Sequence, residues 1–252
     1  MPQRLLKRNS EISYKYIFKQ LKEKKMKKLF AFAAVALFCT AMNAQIVTAT
    51  SYTKAKKDIR WYVKAGLNFS EFSGDMFEDG ITGYNIGIGF DSPIGESGLF
   101  WSSGLSLATK GGKTSWREDD DEYGEVKLNS NKLEIPLTIG YRYKIDQDWA
   151  VDIRFGGFVN YDLWGKLKYE EVDGNYTDSE EYDLGEIEEF FEYDADYTRL
   201  GAGLLIGVGG WWQKLNFSIT YEIGLINQFD SDYYDDVKAK ERNLMISVAY
   251  AF

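Results

Sequence analysis

Residues Leu133 to Tyr143 alternate strictly between apolar and polar character. Leu133, Ile135, Leu137, Ile139, Tyr141 and Tyr143 fall on one side of a period-two strand, and Glu134, Pro136, Thr138, Gly140 and Arg142 fall on the other. The same alternation recurs along the chain and predicts eight strands, at about 61–70, 82–91, 99–110, 133–143, 149–161, 199–209, 215–225 and 244–252. Each is close to the ~9–11 residues that a tilted strand needs to cross a bilayer. The connections alternate too. Residues 92–98, 144–148 and 210–214 are short turns, whereas 71–81, 111–131, 162–198 and 226–243 are longer loops. An even number of strands with short turns on one rim and long loops on the other predicts an all-β, eight-stranded antiparallel up-and-down transmembrane β-barrel. A 37-residue connection inside a compact soluble domain would be unusual.

Charged residues decide which face meets lipid. The mainly apolar face carries no Asp, Glu, Lys or Arg. The other face carries Lys64, Glu134, Arg142, Asp152, Arg154, Arg199 and Glu222, four cations and three anions. A Lys or Arg on lipid near the midplane would cost ~2–4 kcal/mol, whereas charges in a narrow lumen can pair. A soluble barrel with the apolar face inside would have to fit eight strands' worth of Trp, Phe, Tyr and Leu into an interior that eight strands barely provide. The seven charges are therefore expected to form a structural ion-pair network in the lumen; a gated ion or proton path is the functional alternative. Aromatic residues are expected in two girdles. Trp61, Phe90, Trp101, Tyr141, Tyr143, Trp149, Trp211, Trp212, Tyr250 and Phe252 lie near the short-turn rim, and Phe69, Trp116, Tyr161 and Tyr221 toward the other.

Composition agrees with long strands: 24 Gly, 3 Pro, and 41 residues of Tyr, Phe and Trp in 252. Histidine is absent, which removes Ser-His-Asp and Cys-His catalysis and the commonest zinc ligand. Outside the N-terminus no apolar run approaches the ~20 residues of a membrane helix. Met26-Lys27-Lys28, the apolar run Leu29–Met42 and Asn43-Ala44-Gln45 have the layout of a secretory signal, with cleavage expected after Ala44. Residues 1–25 are then expected to be an upstream mis-called start, 26–44 the signal peptide, 45–59 a short periplasmic segment and 60–252 the barrel. The single cysteine, Cys39, follows Leu37-Phe38, which is not the small residue a lipoprotein signal needs. Without residues 1–44 the chain holds 20 Lys+Arg against 37 Asp+Glu, a net charge of −17 and no cysteine. Such a chain is a poor nucleic-acid binder.

The negative charge is concentrated in the expected loops, at Arg117-Glu118-Asp119-Asp120-Asp121-Glu122, at Glu180-Glu181-Tyr182-Asp183 and at Gly185-Glu186-Ile187-Glu188-Glu189. These runs are expected to be solvated surface. Counting from Asp119, Ser130 stands where a calcium loop needs its twelfth-position glutamate, so no metal site is assigned. No acid/base or nucleophile set clusters, so no catalytic residue and no cofactor is expected.

Four features together resemble the PorT-type outer-membrane β-barrel family: the leader ending in Asn43-Ala44-Gln45, the Leu133-Glu134-Ile135-Pro136-Leu137 strand, the Gly-rich Leu200–Gly209 strand, and the terminal Val248-Ala249-Tyr250-Ala251-Phe252. The resemblance implies a porin-like, eight-stranded barrel in the outer membrane. It also implies a link to protein secretion and display at the cell surface, the role of the name-giving members. The terminal strand has its own physical meaning. Val248, Tyr250 and Phe252 form an alternating edge of the kind the outer-membrane assembly machinery recognises by strand pairing. The expected partners are outer-membrane lipid, that machinery, and secretion or envelope proteins, but no nucleic acid. The leading role is non-enzymatic, in surface export or envelope interaction; a narrow channel and an adhesion or cation-binding surface protein are the alternatives.

Overall fold

The computed structural model of the chain describes residues 59–74, 77–119, 122–173, 176–187, 196–230 and 239–252. The expected upstream start, signal peptide and cleavage site lie outside the described residues. Eleven strands follow one another: β1 (Arg60–Ser73), β2 (Asp79–Pro93), β3 (Leu99–Asp119), β4 (Glu122–Lys144), β5 (Trp149–Asp173), β6 (Tyr176–Asp183), β7 (Asp196–Tyr197), β8 (Leu200–Trp212), β9 (Leu215–Asn227), β10 (Phe229–Asp230) and β11 (Lys240–Ala251). Eight of them, β1 to β5 with β8, β9 and β11, pair antiparallel in a closed ring. β4 pairs with β5, and β11 returns to β1.

The register sets the shape of the ring. Trp61 faces Phe90, which faces Ser103, then Leu137, Gly157, Leu204, Ile223 and Arg242, and the path returns to β1 at Glu71. Arriving ten residues higher than it left is the stagger of the barrel. With about 3.3 Å per residue and about 4.8 Å between strands, it tilts the strands by roughly 40° and gives a backbone radius of roughly 8 Å. An interior of that width is filled by side chains.

Face orientation follows the alternation. Val63, Ile86, Ile139, Ile153, Phe155, Val208, Phe217, Ile219 and Val248 are all 44–60% exposed and look outward, while Asn68, Asn85, Ser106, Glu134, Asn160 and Glu222 are buried inside. Val248, Tyr250 and Phe252 of the expected assembly strand all point outward. Tight inward aromatics depend on glycine across the sheet. A Cβ at Gly89 would sit 2.6 Å from the Tyr62 ring, and one at Gly203 2.7 Å from the Phe158 ring.

The loops expected at 111–131 and 162–198 are instead mostly strand. β3, β4 and β5 run 21, 23 and 25 residues, well beyond a membrane's thickness, and β6 pairs with the upper part of β5. The reason is an inversion of polarity. Above the apolar belt the alternation continues in β4 and resumes after a one-residue shift in β5, but Leu128 and Leu167 now point inward while Lys127, Asn129, Lys166 and Lys168 point outward. A slip in the β4–β5 register between Asn131 and Lys132 marks the change. Inward Phe72, Phe77, Leu128, Leu167, Ile187 and Phe229 form a buried apolar cluster at this end, with Phe77 and Phe229 5.9 Å apart and Phe229 5.1 Å from Tyr197. The upper barrel therefore packs like a water-soluble sheet, with its apolar residues inside.

Candidate functional site

Two ion-pair clusters fill the lumen at different heights. The lower one lies near the short-turn rim. β4 and β5 place Arg142 directly opposite Asp152. Arg142 Nη2 donates to Asp91 at 2.5 Å and to Asp152 at 2.8 Å, Arg154 Nε donates to Asp152 at 3.0 Å, and Trp211 Nε1 donates to Asp152 at 2.7 Å. The Arg142 guanidinium lies 4.5 Å from the Phe100 ring and 4.8 Å from the Trp211 ring, and Arg60 covers Trp211 at 4.7 Å. Trp211, expected in the outer girdle, is thus an inward plug, 2% exposed, while Trp212 takes the outward place. The lack of a side chain at Gly209 makes room here, since a Cβ would lie 2.9 Å from Arg154, Asp152 and Asn216.

The upper cluster is built on two lysines with no solvent exposure. Lys110 Nζ lies 2.6 Å from Glu134, 2.7 Å from Glu222 and 2.8 Å from Glu241. Lys132 Nζ lies 2.8 Å from Glu241 and 3.2 Å from Asp162. Ser130 and Tyr197 both donate to Asp162, the latter at 2.9 Å, and Asn243 donates to Glu222 at 2.9 Å. The Phe72–Phe229 apolar cluster closes the lumen above it. Between the clusters runs a polar stretch in which Asn85 donates to Asn68 at 2.7 Å and Ser247 to Asn85 at 3.1 Å.

Of the seven charges expected in the lumen, Arg142, Asp152 and Arg154 meet in the lower cluster, and Glu134 and Glu222 in the upper. Lys64 lies between, influenced by Glu134 and Glu222 on one side and Arg154 on the other. Arg199 precedes β8 and joins neither cluster; its carbonyl accepts a hydrogen bond from the Asp162 amide. Asp91, Lys110, Lys132, Asp162 and Glu241 were missing from that set. Asp162 and Glu241 fall where loops were expected, Lys132 between an expected loop and strand, and Asp91 and Lys110 at strand ends. Parity carried into those segments would have put them in the lumen.

At the long-loop end, β3, β4, β5 and β6 form a sheet that stands above the apolar belt. Trp116, expected in the second girdle, lies high in this sheet and packs on Tyr169 at 5.9 Å. Of the acidic runs, 117–122 forms the tip of the β3–β4 hairpin, with residues 120 and 121 outside the described part, and 180–183 lies on β6. Among the described residues no group of His, Cys, Asp and Glu is arranged to hold a metal ion.

Solved structures similar to this chain include Ail, the attachment invasion locus protein of Yersinia pestis, in complex with the heparin analogue sucrose octasulfate. It is 14% identical, with 77% of this chain and 99% of that one covered and a TM-score of 0.36. OprG of Pseudomonas aeruginosa is 8% identical over 78% of this chain and 97% of its own, with a TM-score of 0.42. Neisserial surface protein A is 10% identical over 76% and 97%, with a TM-score of 0.38. No curated protein matches the sequence. A family model described as outer membrane protein beta-barrel domain matches residues 43–230, which take in every strand except the closing β11. The chain therefore belongs to the outer membrane protein beta-barrel domain family and resides in the outer membrane.

Proposed function

We propose that the protein is a non-enzymatic, PorT-type component of surface export or envelope interaction, and that it works through the sheet it raises above the membrane. The observation that carries this is the division of the molecule. The lumen is occupied at two levels by buried ion pairs and capped by an apolar cluster, whereas β3 to β6 project polar, charged surface beyond the lipid. A filled lumen weighs against a diffusion path. Among the described residues β6 pairs with β5 alone, and a strand at the border of a sheet is a place where another chain can add by backbone pairing.

The test is crosslinking in intact outer membranes followed by recovery of the tagged barrel, using the native chain and a variant with residues 176–183 deleted. That deletion removes β6 and leaves the eight-membered ring unbroken. Secretion or envelope proteins recovered with the native chain and lost with the deletion support the proposal. Identical recovery from both would show that the sheet is not the contact.

A further inference from the structure

The outer surface of the projecting sheet carries a row of like charges whose middle member lies in no ion pair among the described residues. Lys113 on β3 lies directly opposite Lys127 on β4, and Lys127 directly opposite Lys168 on β5. Lys166 stands one step lower, opposite Asn129. Like charges facing each other across adjacent strands are destabilising unless something lies between them. The flanks are partly matched: Lys113 pairs with Glu125 at 3.2 Å, and Lys166 and Lys168 share one carboxylate, Glu181, on β6. Lys127, in the middle, makes no ion pair among the described residues.

These side chains surround a surface hollow of about 340 Å³ lined by Lys127, Asn129, Trp164, Lys166 and Lys168, with Asp183 at its β6 border. Its height is telling. Trp164, 53% exposed, stands at the top of the lipid-facing belt, above Tyr161 and Leu163. Lys166 is two residues higher on the same strand and Lys168 four, or about 5 and 10 Å above the Trp164 level for a strand tilted by roughly 40°. The headgroup layer is about 5–7 Å thick, so Lys166 lies within it and Lys127 and Lys168 lie just above it, within reach of their flexible side chains, while an exposed tryptophan anchors at its base.

We propose that this hollow binds the phosphate group of an acylated glycolipid of the outer leaflet, with Lys127 as the central cation, Lys166 and Lys168 beside it, and Trp164 against the lipid body. The carboxylate lining the hollow, Asp183, lies on its β6 side, and Glu125 and Glu170 stand two residues higher on β4 and β5, so the phosphate enters from the lower β4 side. Binding here fixes the barrel's depth in the leaflet and offsets the repulsion along the lysine row. The inference requires no protein partner and stands apart from the export role.

The test uses the full barrel in neutral maltoside micelles, incubated with lipid A bearing its phosphates, with the phosphate-free lipid, or with inorganic phosphate, and measured by native mass spectrometry. The expected result is one retained phosphorylated lipid per barrel, weakened about fivefold by Lys127→Gln and by a similar factor for each further lysine removed in K166Q and K168Q. Lys144→Gln, on the opposite rim, should leave retention unchanged. Each variant is first confirmed as folded by its heat-dependent gel mobility. Three results would overturn the proposal: equal retention of the phosphate-free lipid, displacement by equimolar inorganic phosphate, or a loss with K144Q as large as with K127Q.

Discussion

Lys110 is the residue on which the upper lumen depends. Its ammonium is the shared partner of Glu134, Glu222 and Glu241, all buried. Replacing it with Met would leave three carboxylates facing one another with Lys132 and the more distant Lys64 as the cations nearby, and breaking a buried pair from one side costs about 3–5 kcal/mol. Lys110→Met should therefore lower the urea midpoint of the lipid-reconstituted barrel strongly. Lys110→Met combined with Glu134→Gln and Glu222→Gln should recover part of the loss, because fewer charges remain unpaired. A single mutant as stable as the native chain would show that the cluster is not satisfied in the way described. A pH-dependent contact lies outside the membrane, at Glu181. Hydrogen bonds from Lys166 and then Lys168 hold its carboxyl below the usual glutamate range. A depressed carboxylate contributes stability that is complete above the ordinary range and is lost as pH falls through the depressed value. Hydrogen exchange of the β6 amides, corrected for intrinsic rate, should thus quicken on acidification below that range, and in Glu181→Gln it should be fast at neutral pH as well.

At the scale of the strand, the polarity of the two faces changes where the chain leaves the lipid. β4 keeps one parity, with Ile135 and Ile139 outward within the membrane and Lys127 outward above it, while β5 takes in one extra residue at the level of Asn131 and Lys132. Leu167→Asp should therefore act locally. It puts a charge into the Phe72–Phe229 cluster but touches no ring contact in the membrane. Limited proteolysis should cut the β5–β6 region of this variant readily while the remaining ring keeps its heat-dependent mobility; loss of that mobility would mean the upper and lower barrel fold as one unit. This inversion also explains what could be read from the sequence. The membrane portions were visible because Leu, Ile and aromatics recur every second residue, and five of the seven expected lumen charges do meet in the two clusters. The upper halves of β3, β4 and β5 are hidden because their outward positions are polar, so no apolar stripe marks them as strand. Lys127, Lys166 and Lys168 then have the composition of loop residues, and nothing apolar around Lys132, Asp162 and Glu241 points to the lumen. Trp211 differs for another reason: it lies past the expected strand end at 209, and continuing the alternation from the inward Gly209 turns it inward toward Asp152.

At the scale of the whole molecule, a ring of eight strands staggered by ten residues leaves a bore that its own side chains fill. The lower cluster of Arg142, Asp91, Asp152 and Trp211, the upper cluster around Lys110 and Lys132, and the apolar cap lie in series along it. On the proposed reading, the filled barrel supports the sheet that projects above the membrane. The most direct test is single-channel recording of the purified, folded protein in planar bilayers. A closed baseline is predicted across the voltage range, unchanged when residues 176–183 are deleted. A steady open conductance from the native chain would mean that the two clusters do not seal the lumen and would contradict the account.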